Sequence, residues 1–315
     1  MSARYRDVLR AASMYYLQDM KMETIARHLQ TSRSTVSRMI KEARDTGIVE
    51  ISLRPEHTRA PGLGQRIRDA YGVEAFVVPV LDSDSQFDRL HQVARTTARL
   101  VGTWFGSEMV LAVAWGTTLG TVVPYLTSKE TRGSVVVQLN GAANTRTSGV
   151  HYAGDLMMGI ARNFGAQVHY FPVPAFFDYA ETRDAMWRER SVRRVVELQR
   201  KADIALFSVG ALRGELPSHV YSAGYLEADD IARLDAEGAV GDVCTVFLRE
   251  DGSYGDIEIN RRATGPTPAQ LRRIPRRVCA VAGDNKVVPL TAALRAGTIT
   301  HLILDELTAA RLLDQ

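Results

Sequence analysis

Seven stretches of six or seven residues are apolar almost throughout: EAFVVPV (74–80), MVLAVAW (109–115), SVVVQL (134–139), QVHYFPV (167–173), IALFSVG (204–210), VCAVAG (278–283) and HLILDE (301–306). They are too short for helices buried all round, and they are continuous rather than alternating. That combination predicts strands covered on both faces. Amphipathic stretches lie between them, such as Arg89–Trp104, Tyr152–Asn163 and Arg183–Lys201. This rhythm fits an α/β domain built on a doubly wound, mostly parallel sheet. VFLREDGSYGDIEI (246–259) breaks it, alternating around a glycine-containing turn, and predicts a hairpin. No internal repeat or low-complexity tract is present.

The first 55 residues follow a different pattern. Tyr5–Met20 reads as a helix with Val8, Leu9, Ala12, Tyr15 and Tyr16 inward, and METIARHLQ as a short second helix burying Ile25, Ala26 and Leu29. In Thr31–Arg44, Val36, Met39, Ile40 and Ala43 form one apolar stripe, and Ser34, Ser37, Arg38 and Lys41 repeat that spacing on the opposite side. Ser32 is placed as an N-cap and Gly47 as the terminator. Gln30 stands where such turns often carry glycine. IVEISL (48–53) alternates like the strand of a wing. Two short helices joined by a tight turn, the second polar outside, predict a winged helix-turn-helix. The segment holds ten Lys/Arg against six Asp/Glu, a net +4, whereas the other residues sum to −1. A polyanionic partner follows, namely double-stranded operator DNA. Expected contacts are Ser32, Arg33, Ser34, Thr35, Ser37 and Arg38 in the major groove, with Lys41 and Arg44 on phosphates. RPEHTRAPGLG (54–64) carries two prolines and two glycines and reads as a linker. The expected organisation is residues 1–55, a linker at 56–64 and a ligand domain at 65–315.

Other classes are disfavoured. The longest apolar run, Met109–Trp115, falls short of the roughly 18 residues a membrane span requires. The arginine-rich start has no signal-peptide core, and the chain's two cysteines, Cys244 and Cys279, sit in apolar stretches. Buried thiols in a cytoplasmic protein are expected rather than a disulfide framework. The seven histidines show no metal spacing such as HExxH; no metal or cofactor is expected.

Open α/β sheets bind ligands beyond the carboxyl ends of their strands. WGTTLG follows one run, with Gly116 for a tight turn and Thr117 and Thr118 at a helix start, a suitable phosphate cradle. NGAANT, GALRG and AGDNK follow three others, placing Asn140, Gly141, Gly210 and Lys286 at the same rim. Lys286 would supply a cation to a small anionic ligand.

IARHLQTSRSTVSRMIKEARDTGIVEI, AWGTTL, VVQLNGA, AVGDVC and VAGDNK occur in that order. In this the chain resembles, over nearly its whole length, the SorC family of sugar-responsive bacterial transcriptional regulators. The resemblance implies a second domain with the sugar-phosphate isomerase/deaminase and CoA-transferase fold, emptied of catalysis and used as an effector sensor. It implies that Gly116, Thr117 and Thr118 bind phosphate, and that Gln138, Asp242 and Lys286 line the sugar pocket with Asn140 and Gly141 in a neighbouring loop. It also implies homodimers or homotetramers. In the family's deoxyribonucleoside regulators the position of Asn140 is a lysine that forms a Schiff base. An amide cannot do so, so a non-covalently held sugar or sugar phosphate is expected.

The rival expectation is an active isomerase-type enzyme fused to a DNA-binding domain. Such an enzyme needs a placed general base, and Asp155, Asp242, Asp284 or His151 are the residues available for it. No catalytic residue is assigned.

Overall fold

The computed structural model describes residues 3–49, 62–212 and 218–315. The chain divides into two compact units, Met1–Arg54 and Pro55–Gln315.

The first unit contains α1 (Ala3–Tyr16), α2 (Met22–His28) and α3 (Arg33–Asp45). Val8, Ala11, Ala12, Ile25, Ala26, Val36, Ile40 and Ala43 form its core. α1 stops four residues earlier than its pattern suggested, before Asp19 at φ 50°. Leu9 is 43% exposed and Ala11 takes the inward position, because 8, 11, 12 and 15 share one face and 9 lies about 100° from it. Ser32 caps α3 by accepting from the Thr35 N–H at 3.1 Å. Gly47, at φ 72°, donates to the Arg44 carbonyl just past the helix. Gln30 takes the left-handed conformation itself, at φ 51°, where glycine would be easier. The wing expected at 48–53 lies outside the described residues beyond Val49, as do linker positions 56–61. Linker positions 63 and 64 prove helical, because α4 (Leu63–Tyr71) starts there.

The second unit carries strands β1 (Glu74–Val78), β2 (Val110–Val113), β3 (Val135–Gln138), β4 (Gln167–His169) and β5 (Ile204–Phe207). After them come β6 (Val209–Ala211), β7 (Ala239–Val243), β8 (Val246–Arg249), β9 (Arg276–Val281) and β10 (His301–Asp305). The order β1-β10-β9-β5-β2-β3-β4 is parallel throughout. Alternate residues feed two cores: Leu111, Val113, Val136 and Ile303 on one face, Ala112, Val137, Phe207 and Leu302 on the other. Burial on both faces is the reason the runs are continuous. The helices are α5 (Gln86–Trp104), α6 (Thr117–Val122), α7 (Asp155–Phe164), α8 (Ala180–Met186) and α9 (Arg190–Arg200). They continue with α10 (His219–Ser222), α11 (Ala228–Ala236), α12 (Pro268–Leu271), α13 (Val287–Arg295) and α14 (Glu306–Leu313).

Two expectations are corrected here. The Arg183–Lys201 stretch is two helices, α8 and α9, broken at Trp187–Glu189. The 246–259 segment is not a hairpin on itself. Its first part, β8, pairs antiparallel with β7, and β6 completes a small second sheet. The turn between β7 and β8 is Cys244–Thr245, both left-handed at φ 51° and 69°. The remainder ends in a 3₁₀ turn, Glu258–Arg261, that buries Ile257 and Ile259. Asn260 replaces the missing strand partner, with the Phe247 N–H donating to its Oδ1 at 2.8 Å and its Nδ2 donating to the Phe247 carbonyl at 2.9 Å.

Candidate functional site

From β2 the chain moves outward to β3 and β4, then returns to β5 on the other side of β2. The loops leaving β2 and β5 therefore diverge, which opens a crevice at the carboxyl rim. A pocket of about 730 Å³, counting its mouth, occupies that crevice. Gly116, Thr117, Thr118, Asn140, Gly210, Asp242 and Lys286 all line it.

Gly116 sits at φ 156°, ψ 164°, a conformation essentially reserved for glycine. It turns the chain into α6, leaving Thr117 exposed and Thr118 buried. Lys286 Nζ donates to Thr118 Oγ1 at 3.0 Å and to Ser208 Oγ at 3.3 Å. Burial pulls the Lys286 ammonium down to about 8, against the opposing pull of Cys279 and Asp242. It still carries its charge at neutral pH.

The loop presenting Lys286 is firmly tied. Asp305, fully buried, caps α14 through the Thr308 N–H and accepts from the Gly283 N–H at 3.3 Å. It also accepts from Arg89 of α5 at 2.9 Å. Arg89 reaches Asp284 as well, at 2.9 Å, and Arg311 of α14 closes on Asp284 at 2.7 Å.

The opposite wall offers acceptors. Asp242 is 5% exposed; its Oδ2 accepts from the Thr245 N–H at 3.0 Å, while its buried Oδ1 makes no well-formed hydrogen bond, although the buried Tyr221 hydroxyl stands close to the carboxylate. Burial pushes this carboxyl up to about 6, opposed by the Thr245 N–H, Tyr221 and Lys286. Asn140 is buried too, and its Oδ1 also lacks a partner. Gly210 is needed for proximity: a Cβ there would lie 1.8 Å from Asp242 Oδ1.

Two expected lining residues stand behind the wall. Gln138 donates from Nε2 to the Asn140 carbonyl at 2.7 Å and accepts from the Phe171 N–H at 3.2 Å, so its amide is spent on the backbone. Gly141 packs where a Cβ would meet the Pro174 carbonyl at 2.1 Å, and its N–H donates to Thr264 Oγ1. Sequence reasoning missed Ser208, which directly follows β5 and was within reach of the same strand-end rule. It also missed Gln86 and Leu90, which enter from α5 and carry no such signal. His219 lines the wall and stacks on Tyr152 at 4.3 Å, and burial lowers its pKa. The side chain of His151 lies outside the described residues. Among the described residues no group of three or more His, Cys, Asp or Glu could hold a metal ion. Cys244 and Cys279 are free and buried, and burial raises both thiols.

On α3, Ser32, Arg33, Ser34, Ser37, Arg38, Lys41 and Arg44 are exposed and Thr35 is half-buried. Ser32 Oγ is engaged in its cap and lies within 2.9 Å of Ser34 Oγ and Thr35 Oγ1. Arg33 is not the open cation its position suggested, since Glu23 of α2 pairs with it at 2.9 Å.

Residues 56–314 match the family model described as "Putative sugar-binding domain". The deoxyribonucleoside regulator of Bacillus subtilis (strain 168) is 29% identical over 307 residues, covering 97% of this chain and 96% of the relative. The sorbitol operon regulator of Klebsiella pneumoniae is 25% identical over 311 residues, 98% of each. A solved domain of a possible sugar-binding transcriptional regulator from Arthrobacter aurescens TC1 is 48% identical with a TM-score of 0.78, covering 83% of this chain and all of that one. The full-length sorbitol operon regulator from Klebsiella pneumoniae, at 24% identity and TM-score 0.72 over 99% of this chain and all of that one, shares the fold.

Proposed function

This chain belongs to the sugar-binding domain family of SorC-type transcriptional regulators, and from that premise we propose how it works. It is a sugar-responsive regulator whose affinity for operator DNA is set by a small sugar derivative, a sugar phosphate, held non-covalently at the carboxyl rim of the sheet. The observation that carries the reading is the polarity of the pocket. Asn140 Oδ1, a buried acceptor without a donor, and the Asp242 carboxylate, approached only by the Thr245 N–H and the Tyr221 hydroxyl, share its lining with a charged ammonium on two hydroxyls. A buried acceptor left unpaired is costly, and a ligand rich in hydroxyl donors removes that cost. The anionic end belongs with Lys286, Thr118 and Ser208. Asn140 has no amine to condense with an aldehyde.

The DNA-binding part of the reading assigns α2 and α3 to a helix-turn-helix, with α3 in the major groove. Support comes from the Ser32 cap, the left-handed Gln30 in the turn, and the exposed row Ser34, Ser37, Arg38 and Lys41. A lone module of this size makes few base contacts, so pairing two of them on a half-site repeat is expected. The second unit supplies the dimer or tetramer. No helix among the described residues is long and apolar enough to cross a membrane, and a cytoplasmic location completes the proposal.

Fluorescence anisotropy on an operator fragment tests this. Ribose 5-phosphate, deoxyribose 5-phosphate, glucose 6-phosphate, sorbitol 6-phosphate and free sorbitol are added in turn. One phosphorylated member should change DNA affinity, and by linkage DNA should change its affinity by the same factor. Borohydride should trap no adduct. Turnover of any member would instead favour the enzyme reading, for which the raised Asp242 carboxyl would be the general base. Equal response to sorbitol and its phosphate would remove the phosphate from the proposal.

A further inference from the structure

The inner stripe of α9 carries Val192, Val195 and Val196, and its next position is Gln199, 8% exposed. A leucine would satisfy the packing there, and a buried amide is costly unless it is bonded. Gln199 Nε2 donates to the Gln138 carbonyl at 2.8 Å and lies 3.2 Å from the Leu139 carbonyl. Both carbonyls stand where β3 leaves its ladder: β2 pairing ends at Gln138 and β4 pairing at Val137. The next carbonyl, of Asn140, is held by the side chain of Gln138. That side chain is in turn fixed by the Phe171 N–H at the exit from β4. Three consecutive carbonyls are thus held by two glutamine side chains, immediately where Asn140 enters the pocket.

We propose that Gln199 is a positioning residue for ligand binding: with Gln138 it clamps the end of β3, so that the buried Asn140 amide faces the pocket in one orientation. The inference rests on reading that pocket as the effector site. Gln199 does not line the pocket; it acts from the opposite face of the sheet, through backbone carbonyls. A ligand hydroxyl at Asn140 then meets an acceptor already in place, and ordering it on binding costs little. Without Gln199 the Gln138 and Leu139 carbonyls lose their donor, and the segment has several orientations to choose from.

Hydrogen exchange on the full chain tests the clamp without a ligand. Gln199→Met keeps side-chain length and removes the donor. Amides at 139–141 should exchange at least about tenfold faster, with those of β2 and β9 unchanged. Gln138→Met should reproduce this. Gln270→Met, which shares with Gln199 a cleft also lined by Trp187 and Val196 but caps α12, should not. Titration with deoxyribose 5-phosphate and glucose 6-phosphate then reads the consequence. Gln199→Met should weaken the binding probe about three- to tenfold, and have no such effect in an Asn140→Ala background. Unchanged exchange at 139–141 in both glutamine variants would overturn the clamp. Faster exchange with undiminished affinity, or an equal loss in the Asn140→Ala background, would overturn its role in binding. If neither sugar phosphate binds the parent protein, the sugar-phosphate reading fails while the exchange result still decides the clamp.

Discussion

Lys286→Met should make the second unit more stable at neutral pH while weakening its hold on phosphorylated sugars. Burial brings the ammonium from the ordinary 10.5 down to about 8, so folding disfavours the charged form. At 1.36 kcal/mol per pH unit, about 3 kcal/mol of stability is missing at pH 7. Methionine removes that penalty. It also removes two hydrogen bonds of about 1 kcal/mol each, leaving Ser208 and Thr118 hydroxyls 3.3 Å apart to pair with each other. The expected net is a gain of about 1 kcal/mol at pH 7. In the parent protein the unfolded chain holds the Lys286 proton more tightly than the folded one. Between about pH 8 and 10.5 the unfolded state therefore binds more protons, and stability rises with pH. The variant lacks that titration. The stability gap should thus move by about 3 kcal/mol across the window, from favouring methionine to favouring lysine. Lost hydrogen bonds and altered packing shift the gap but not its slope. Urea unfolding followed by tryptophan fluorescence suits the measurement, since Trp104, Trp115 and Trp187 all lie in the second unit. A gap constant to about 0.5 kcal/mol from pH 7 to 10.5 would refute the reasoning.

Arg38→Ala should cost about 1–3 kcal/mol on an operator and little on random DNA, whereas Lys41→Ala should weaken both and reduce the salt slope by about one. Titrations at several salt concentrations distinguish the two, and operator affinity unchanged in both variants would remove α3 from the groove. Gly210→Ala forces Asp242 from its place; a loss of about 1–3 kcal/mol in stability is expected, together with loss of the sugar response. Calorimetry with anisotropy checks both. A truncation starting at Pro61 should remain oligomeric in sedimentation, while residues 1–55 should run as a monomer; a monomeric truncation would place the interface in the first unit.

The sequence made the large sheet readable because its inner strands are buried on both faces, so each announces itself as an unbroken apolar run, while the edge strands β1 and β4 are only half-buried and carry polar residues. The rim loops were readable for the same reason, and six lining positions, Gly116, Thr117, Thr118, Asn140, Gly210 and Lys286, follow directly from strand ends. The small sheet was not. β7 contains Gly241 and Asp242, and the turn into β8 is made by Cys244 and Thr245, residue types that carry no left-handed signature. The break between α8 and α9 has neither glycine nor proline to mark it. Gln138 and Gly141 matched the family pattern by position, but their atoms are committed to holding the backbone. Two of these commitments, to Phe171 and Thr264, reach 33 and 123 positions along the chain and leave no local trace.

Asp305 serves as a single fastening for three pieces of the chain: α5 through Arg89, the Lys286 loop through Gly283, and α14 through its cap. Arg89 and Arg311 bind the same pieces a second time at Asp284. The loop therefore has no freedom of its own. A ligand that draws Lys286 by even a few tenths of an ångström must either break a buried ionic network or carry two helices with it. Close-packed elements shift as bodies rather than deform, so a small displacement in the pocket is expressed as a lever motion at the surface. On the reading proposed above, occupancy of the pocket would thereby be converted into geometry at a distance.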